Sequence, residues 1–173
     1  MVVTFNDAAV SELAGDAGFD FTWIDMEHSP LTIDNVSGHI MALRGTDCAP
    51  FVRVAENDPA LIKPVIDLAP AGIIIPMIKT AEDLEKAVSA CRYPPYGTRG
   101  CGLRRAVNYG AKSTKDYFRE SENEPLIIAQ IEHIRAVENL EKIREAGKSG
   151  SRDNCFLLFR FRRKKYHKRA FVS

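Results

Sequence analysis

The sequence predicts a parallel α/β protein, and three observations carry that prediction. Short apolar runs alternate five times with capped, amphipathic stretches along residues 2–147, the rhythm of β/α units. The run GIIIPM at 72–77 is apolar without alternation, as a strand covered on both faces must be. Polar residues collect where the runs end: Asp25 to His28, Arg53 and Glu56, and Gln130 and Glu132. That edge is where β/α folds build their sites. The rhythm alone leaves a closed barrel and an open sheet equally open.

Each element has its own signal. VVTF (2–5) is the first strand, and Asn6 or Asp7 can cap a helix that carries Val10 and Leu13 and stops at Gly15 or Gly18. FTWIDM (21–26) is the second strand. Thr32 then caps a helix with the stripe Ile33, Val36, Ile40 and Leu43, ended by Gly45. PFVRV (50–54) is the third strand, followed by a helix with Asp58 as cap and Pro59 in its first turn. After the fourth strand, Thr80 and Asp83 have capping-box spacing at the head of TAEDLEKAVSAC. RYPPYGTRGCG is a Pro- and Gly-dense loop, LIIAQIE (126–132) the fifth strand, and AVENLEKIREAG (136–147) its helix. CFLLF can form a strand, but no sixth unit of the same style follows.

A chain of 173 residues can bury one sizeable core. Its net charge of +1 hides an asymmetry. Residues 151–173 hold eight Arg or Lys against Asp153, net +7, which leaves −6 on residues 1–150. The start MVVTFNDAAV lacks the basic and apolar regions of a secretion signal, and no apolar run is long enough for a bilayer. Cys48, Cys91, Cys101 and Cys155 show no paired spacing, so free thiols in a reducing cytoplasm are expected.

His28 is the natural acid–base group, since imidazole titrates near neutrality, and Asp25, three residues earlier, could orient its ring. Arg53 could grip a carboxylate with two prongs or stabilise an enolate. Glu132 offers a hard carboxylate to Mg²⁺ or Mn²⁺, and Gln130 shares its face of the strand. Glu27 is the weaker member of its trio, placed to flank the strand end or bind a neighbouring side chain. Each has a plainer reading too: a loop histidine, a surface ion pair, or a carboxylate favouring the following helix dipole. In RYPPYGTRG, Gly97, Arg99 and Gly100 could cradle an anion. The Walker spacing is absent, and a lid or substrate-access loop fits better.

GFDFTWIDMEHSP, VRVAENDPALIKPVIDL, GIIIPM, CRYPPYGTRG and IIAQIE together closely resemble the HpcH/HpaI family of class II, metal-dependent pyruvate aldolases, in order and spacing over about residues 2–147. The resemblance implies an incomplete TIM (β/α)8 barrel of the phosphoenolpyruvate/pyruvate-binding type, with about five β/α units. It implies reversible retro-aldol cleavage of 4-hydroxy-2-oxo acids to pyruvate and an aldehyde. The cofactor would be a divalent metal, Mg²⁺, Mn²⁺ or Co²⁺, and the assembly a homo-oligomer without membrane contact. By position, His28 corresponds to the general base with Asp25 beside it, Arg53 to the enolate-stabilising group, Gln130 to a substrate contact and Glu132 to a metal ligand. Asp67 corresponds to an aspartate that raises the basicity of the histidine. It sits at a helix end, on the wrong side of its own barrel, so that role requires a neighbouring subunit.

The resemblance ends near Gly147, dividing the chain into a partial barrel (1–147) and a non-homologous, poorly ordered basic tail (148–173). The family's second metal ligand, an Asp in a Gly-Pro-x-Asp-Leu-Ser type motif after the sixth strand, has no counterpart after Glu132. The abrupt change of composition reads as a truncated or frame-shifted end. The expected consequences are open edges at the first and fifth strands and marginal stability. The alternatives are a catalytically inactive fragment, or a binding protein whose tail FRFRRKKYHKR contacts nucleic acid or an anionic surface.

Overall fold

The computed structural model describes residues 1–149, 155–159 and 171–172. Its elements run β1 (Val2–Val3), α1 (Ala9–Asp16), β2 (Phe21–Asp25), α2 (Ile33–Ala42), β3 (Ala49–Arg53), α3 (Pro59–Ile66), β4 (Gly72–Ile75) and α4 (Ala81–Cys91). A 3₁₀ segment (Arg105–Gly110), α5 (Thr114–Ser121), β5 (Leu126–Ile131), α6 (Ile134–Glu138), α7 (Leu140–Ser149), β6 (Cys155–Phe159) and β7 (Phe171–Val172) follow. One sheet holds all the strands in sequence order. β1 to β6 pair in parallel, and β7 is antiparallel to β6. A parallel α/β barrel wall is therefore the observed fold.

The caps read from sequence are formed. Thr32 with Asn35 and Thr80 with Asp83 make complete capping boxes, and Asp58 accepts from the Ala60 N–H ahead of Pro59. Each such cap satisfies amides a helix cannot satisfy itself, worth about 1 kcal/mol. α1 is the weak case: Ala8 occupies its cap position, while Asp7 Oδ1 accepts from the Ala9 N–H at 3.0 Å.

Alternation divides the sheet into two faces. On the helix side Ile24, Val52, Ile73, Ile75, Ile127, Ala129 and Ile131 are buried in one cluster with Val36, Ile40, Ile62, Val65, Leu84 and Ile143. Burying each such aliphatic side chain contributes about 1.5–3 kcal/mol. The opposite face carries Phe21, Trp23, Asp25, Phe51, Arg53, Ile128 and Gln130; Phe21, Trp23, Phe51 and Ile128 are only half-buried. There Phe21 stacks on Phe51 with centroids 5.2 Å apart.

Three expectations change, and one helix is added. The first strand is two residues long, and Phe5 is exposed. The last helix breaks at Asn139, whose side chain donates to the carbonyls of Lys79 and Arg135. α5 lies within residues 103–125, for which the sequence predicts no element. Its Ser113 cap accepts from the Asp116 N–H. The fifth strand is not an edge, because β6 pairs with it from Ile127 to Ile131. The basic residues after Phe159 that were assigned to the tail lie outside the described residues.

Candidate active site

The site begins with the register of β2 and β3, which sets Asp25 opposite Arg53 at the carboxyl ends of both strands. Arg53 donates from Nε to Asp25 Oδ1 (2.9 Å) and from Nη2 to Oδ2 (2.6 Å), a two-pronged pair buried at 4% side-chain exposure for Arg53 and 5% for Asp25. Asp25 Oδ1 also accepts the backbone N–H groups of Glu27 (2.9 Å) and His28 (3.2 Å), and the Ser29 hydroxyl donates to the Asp25 carbonyl. The turn after β2 is thus folded around one carboxylate, as aspartate turns are. Burial pushes that carboxyl up, but Arg53 and the two amides together hold it below its ordinary value.

Glu27 belongs to the same cluster. Its Oε2 lies 2.7 Å from Arg53 Nη1, yet it accepts no hydrogen bond there, because the guanidinium directs its N–H groups at Asp25 and Gln130. The contact is charge alone, and burial wins: the Glu27 carboxyl is raised, with Arg53 and His28 only partly offsetting and Glu132 and Asp25 adding to the rise. The His28 ring, 62% exposed, has its Nε2 3.6 Å from Glu27 Oε1. Asp25 was expected to orient that ring; its oxygens are turned to Arg53 and the turn amides, and Glu27 is the carboxylate beside the imidazole. Strict alternation misplaces Glu27 because it extends past the strand's last residue, Asp25, into a turn.

β5 completes the row. Arg53 Nη1 donates to Gln130 Oε1 at 3.5 Å, and Gln130 Nε2 donates to Glu132 Oε2 at 2.6 Å. Met77, just past β4 with φ of 57°, points its N–H at Glu132 Oε1, 3.2 Å away. Beneath them the Arg53 guanidinium lies 5.3 Å from the Trp23 ring centroid. Asp25, Glu27, His28, Arg53, Gln130 and Glu132 therefore meet at one end of four adjacent strands.

Asp67 does not join them. It follows α3 at the opposite end of the sheet, where Arg99 Nη2 donates to its Oδ1 at 2.9 Å. The RYPPYGTRG loop lies at that end too: Arg92 donates to the carbonyls of Glu124 and Pro125 ahead of β5, and Arg99 to that of Ile66. A loop from α4 to β5 must sit at the amino ends of the strands, so it cannot be a lid on this chain's own site. Cys91 and Cys155 take no part in the cluster, and burial pushes their thiols up to about 12 and about 11, which leaves them unreactive.

The donor set suits a divalent cation in part. Asp25, Glu27 and Glu132 set three carboxylates against one guanidinium, so the cluster favours a cation. Asp25 and Glu27 face Arg53, however, which leaves Glu132, and no group of three acidic, His or Cys side chains able to hold a metal occurs among the described residues. One carboxylate with substrate oxygens and water is the least that Mg²⁺ accepts. The residues fit a cation that the bound substrate helps to hold.

Known proteins share this arrangement of elements. The profile described as HpcH/HpaI aldolase/citrate lyase matches residues 1–150. A hydroxypyruvate/pyruvate aldolase of Chromohalobacter salexigens is 39% identical over 141 residues, covering 80% of this chain and 55% of that protein. A 2-dehydro-3,6-dideoxy-6-sulfogluconate aldolase of Pseudomonas putida is 40% identical over 137 residues, covering 79% and 53%. The crystal structure of an HpcH/HpaI aldolase/citrate lyase family protein from Burkholderia cenocepacia J2315 superposes with a TM-score of 0.77 at 30% identity, over 83% of this chain and 58% of that one. The chain spans about half the length of the curated relatives it matches.

Proposed function

Since this chain belongs to the HpcH/HpaI aldolase/citrate lyase family, we propose that its strand-end cluster serves an aldehyde-lyase reaction, the reversible cleavage of a 4-hydroxy-2-oxo acid to pyruvate and an aldehyde. The observation that carries this reading is the single row running from Glu27 through Arg53 and Gln130 to Glu132. It is an arginine–amide–carboxylate array of the kind a small 2-oxo acid requires.

The roles follow from the contacts. Asp25 fixes Arg53 in orientation, so the guanidinium is pre-set to stabilise the oxygen on which enolate charge develops. Gln130, held at both ends, presents its amide to the substrate. His28, exposed above the cluster, takes the proton from the carbon that becomes the pyruvate methyl carbanion, or from the substrate hydroxyl in the cleavage direction. Glu27 Oε1 stands 3.6 Å from His28 Nε2, a charge contact beyond hydrogen-bonding distance. Glu132 would hold a divalent ion (Mg²⁺, Mn²⁺ or Co²⁺), which when bound polarises the 2-oxo acid. Asp67, at the other end, could act only on a neighbouring subunit's histidine, so its role calls for a homo-oligomer. No helix among the described residues is long and apolar enough to cross a membrane, and the proposed setting is the cytoplasm.

Pyruvate release from a 4-hydroxy-2-oxo acid is expected to require Mg²⁺, Mn²⁺ or Co²⁺, to stop with a chelator, and to disappear in His28→Ala. Release that survives His28→Ala refutes the assignment. A second reading, a catalytically inactive member of the family, is favoured by Glu132 standing alone as a ligand among the described residues. No metal-dependent release from any 4-hydroxy-2-oxo acid would establish it.

A further inference from the structure

At the end of the sheet opposite the cluster, the RYPPYGTRG loop and α5 enclose a cleft of about 480 Å³ lined by Arg92, Tyr93, Tyr96, Arg99, Phe118 and Glu122, among others. Two guanidiniums are buried in its wall, Arg92 at 6% and Arg99 at 5% exposure. Asp67 neutralises Arg99. Arg92 donates only to the neutral carbonyls of Glu124 and Pro125 and has no carboxylate partner among the described residues. Arg99 Nε is buried with no acceptor, while its guanidinium lies 4.4 Å from the Tyr93 ring centroid. A buried cation without a counter-charge is costly, and here it adjoins an open cleft. Part of the remaining wall is flat and apolar, with Ser121 and Glu122 beside it: Phe118 meets Tyr93 edge-on at 4.9 Å, and Pro94, Pro95 and Tyr96 line the same cleft.

We propose that this cleft binds a small organic anion with a flat apolar body, of the aromatic carboxylate type, its charge on Arg92 and Arg99 and its ring among Tyr93, Tyr96 and Phe118. The loop is built for that: Thr98 N–H donates to Ser89 and Arg99 N–H to Arg92, which folds the second arginine back beside the first. Glu122 at the cleft opposes an anion and supplies the test, because removing its charge must strengthen binding.

Benzoate is the probe, titrated into the full chain with benzamide as the uncharged control. Benzoate is expected to saturate, with benzamide at least about tenfold weaker, and Glu122→Gln to tighten benzoate about threefold. Arg92→Gln is expected to abolish binding; should that variant not fold, Glu122→Gln still decides. Intermolecular nuclear Overhauser contacts from the benzoate ring are expected at Tyr96 and Phe118. Equal binding of the two probes, an unchanged affinity in Glu122→Gln, or contacts at Trp23 instead would overturn the proposal.

Discussion

Arg53 faces three carboxylate oxygens, two from Asp25 in hydrogen-bonding geometry and one from Glu27 in contact by charge alone. The two acids are therefore unequal. Asp25→Asn leaves a buried guanidinium short of its principal partner and is expected to cost about 3 kcal/mol. Glu27→Gln removes a carboxylate that burial already disfavours and is expected to cost under about 1 kcal/mol. Urea midpoints at pH 7 separate the two. The pH dependence differs in sign as well. Asp25 lies below its ordinary 3.8, so its contribution is complete above that pH and is lost as pH falls further. Glu27 lies above its ordinary 4.5, so the folded state holds the extra proton and stability falls as pH rises from about 4.5. Urea midpoints followed upward from pH 4 are expected to show that fall in the wild type and not in Glu27→Gln.

Among the elements, the loop after α4 depends most on one residue. A Cβ on Gly97 would stand 2.4 Å from the carbonyl oxygens of both Arg92 and Ser89, backbone atoms that cannot swing aside. Gly97→Ala is expected to lower stability by about 2–3 kcal/mol and to loosen Arg99 from Asp67, as thermal unfolding and exchange of the Arg99 amide would report. This loop also marks where the sequence stops being informative. Thr32, Asp58 and Thr80 declare their helices because capping is a local code. Asp25 and Arg53 are legible because each closes a strand. α5, with Lys115, Asp116, Arg119 and Glu120 on its surface, buries only Tyr117 and Ser121 and carries no long apolar stripe. Its Ser-x-x-Asp cap is the one available signal. The position of RYPPYGTRG at the far end follows from counting strand direction, not from its composition. The partnership of Glu27 with Arg53 depends on a turn that alternation does not describe.

At the scale of the molecule, the two ends of the sheet carry opposite demands. The carboxyl end gathers three carboxylates and one guanidinium, Glu132 joined to Arg53 through Gln130, and among the described residues the amino end buries two guanidiniums beside a single neutralising aspartate. By charge, the first end suits a cation and the second the proposed anion. Between them the two faces of the sheet are unequal. The helix-side isoleucines are sealed, whereas Phe21, Trp23, Phe51 and Ile128 on the other face stay half-exposed, the three aromatic residues on paired strands. Aromatic surface of that extent on a monomer draws self-association. The short β1, paired only to β2 among the described strands, adds an unprotected edge. The full chain is expected to bind anilinonaphthalene sulfonate in its folded state and to sediment with a concentration-dependent mass. Phe51→Ser is expected to reduce both signals, because it removes the ring that stacks on Phe21 within the patch. A chain that sediments as a monomer at every concentration, leaves the dye dark and unfolds in one cooperative step would show that this inner face is protected after all.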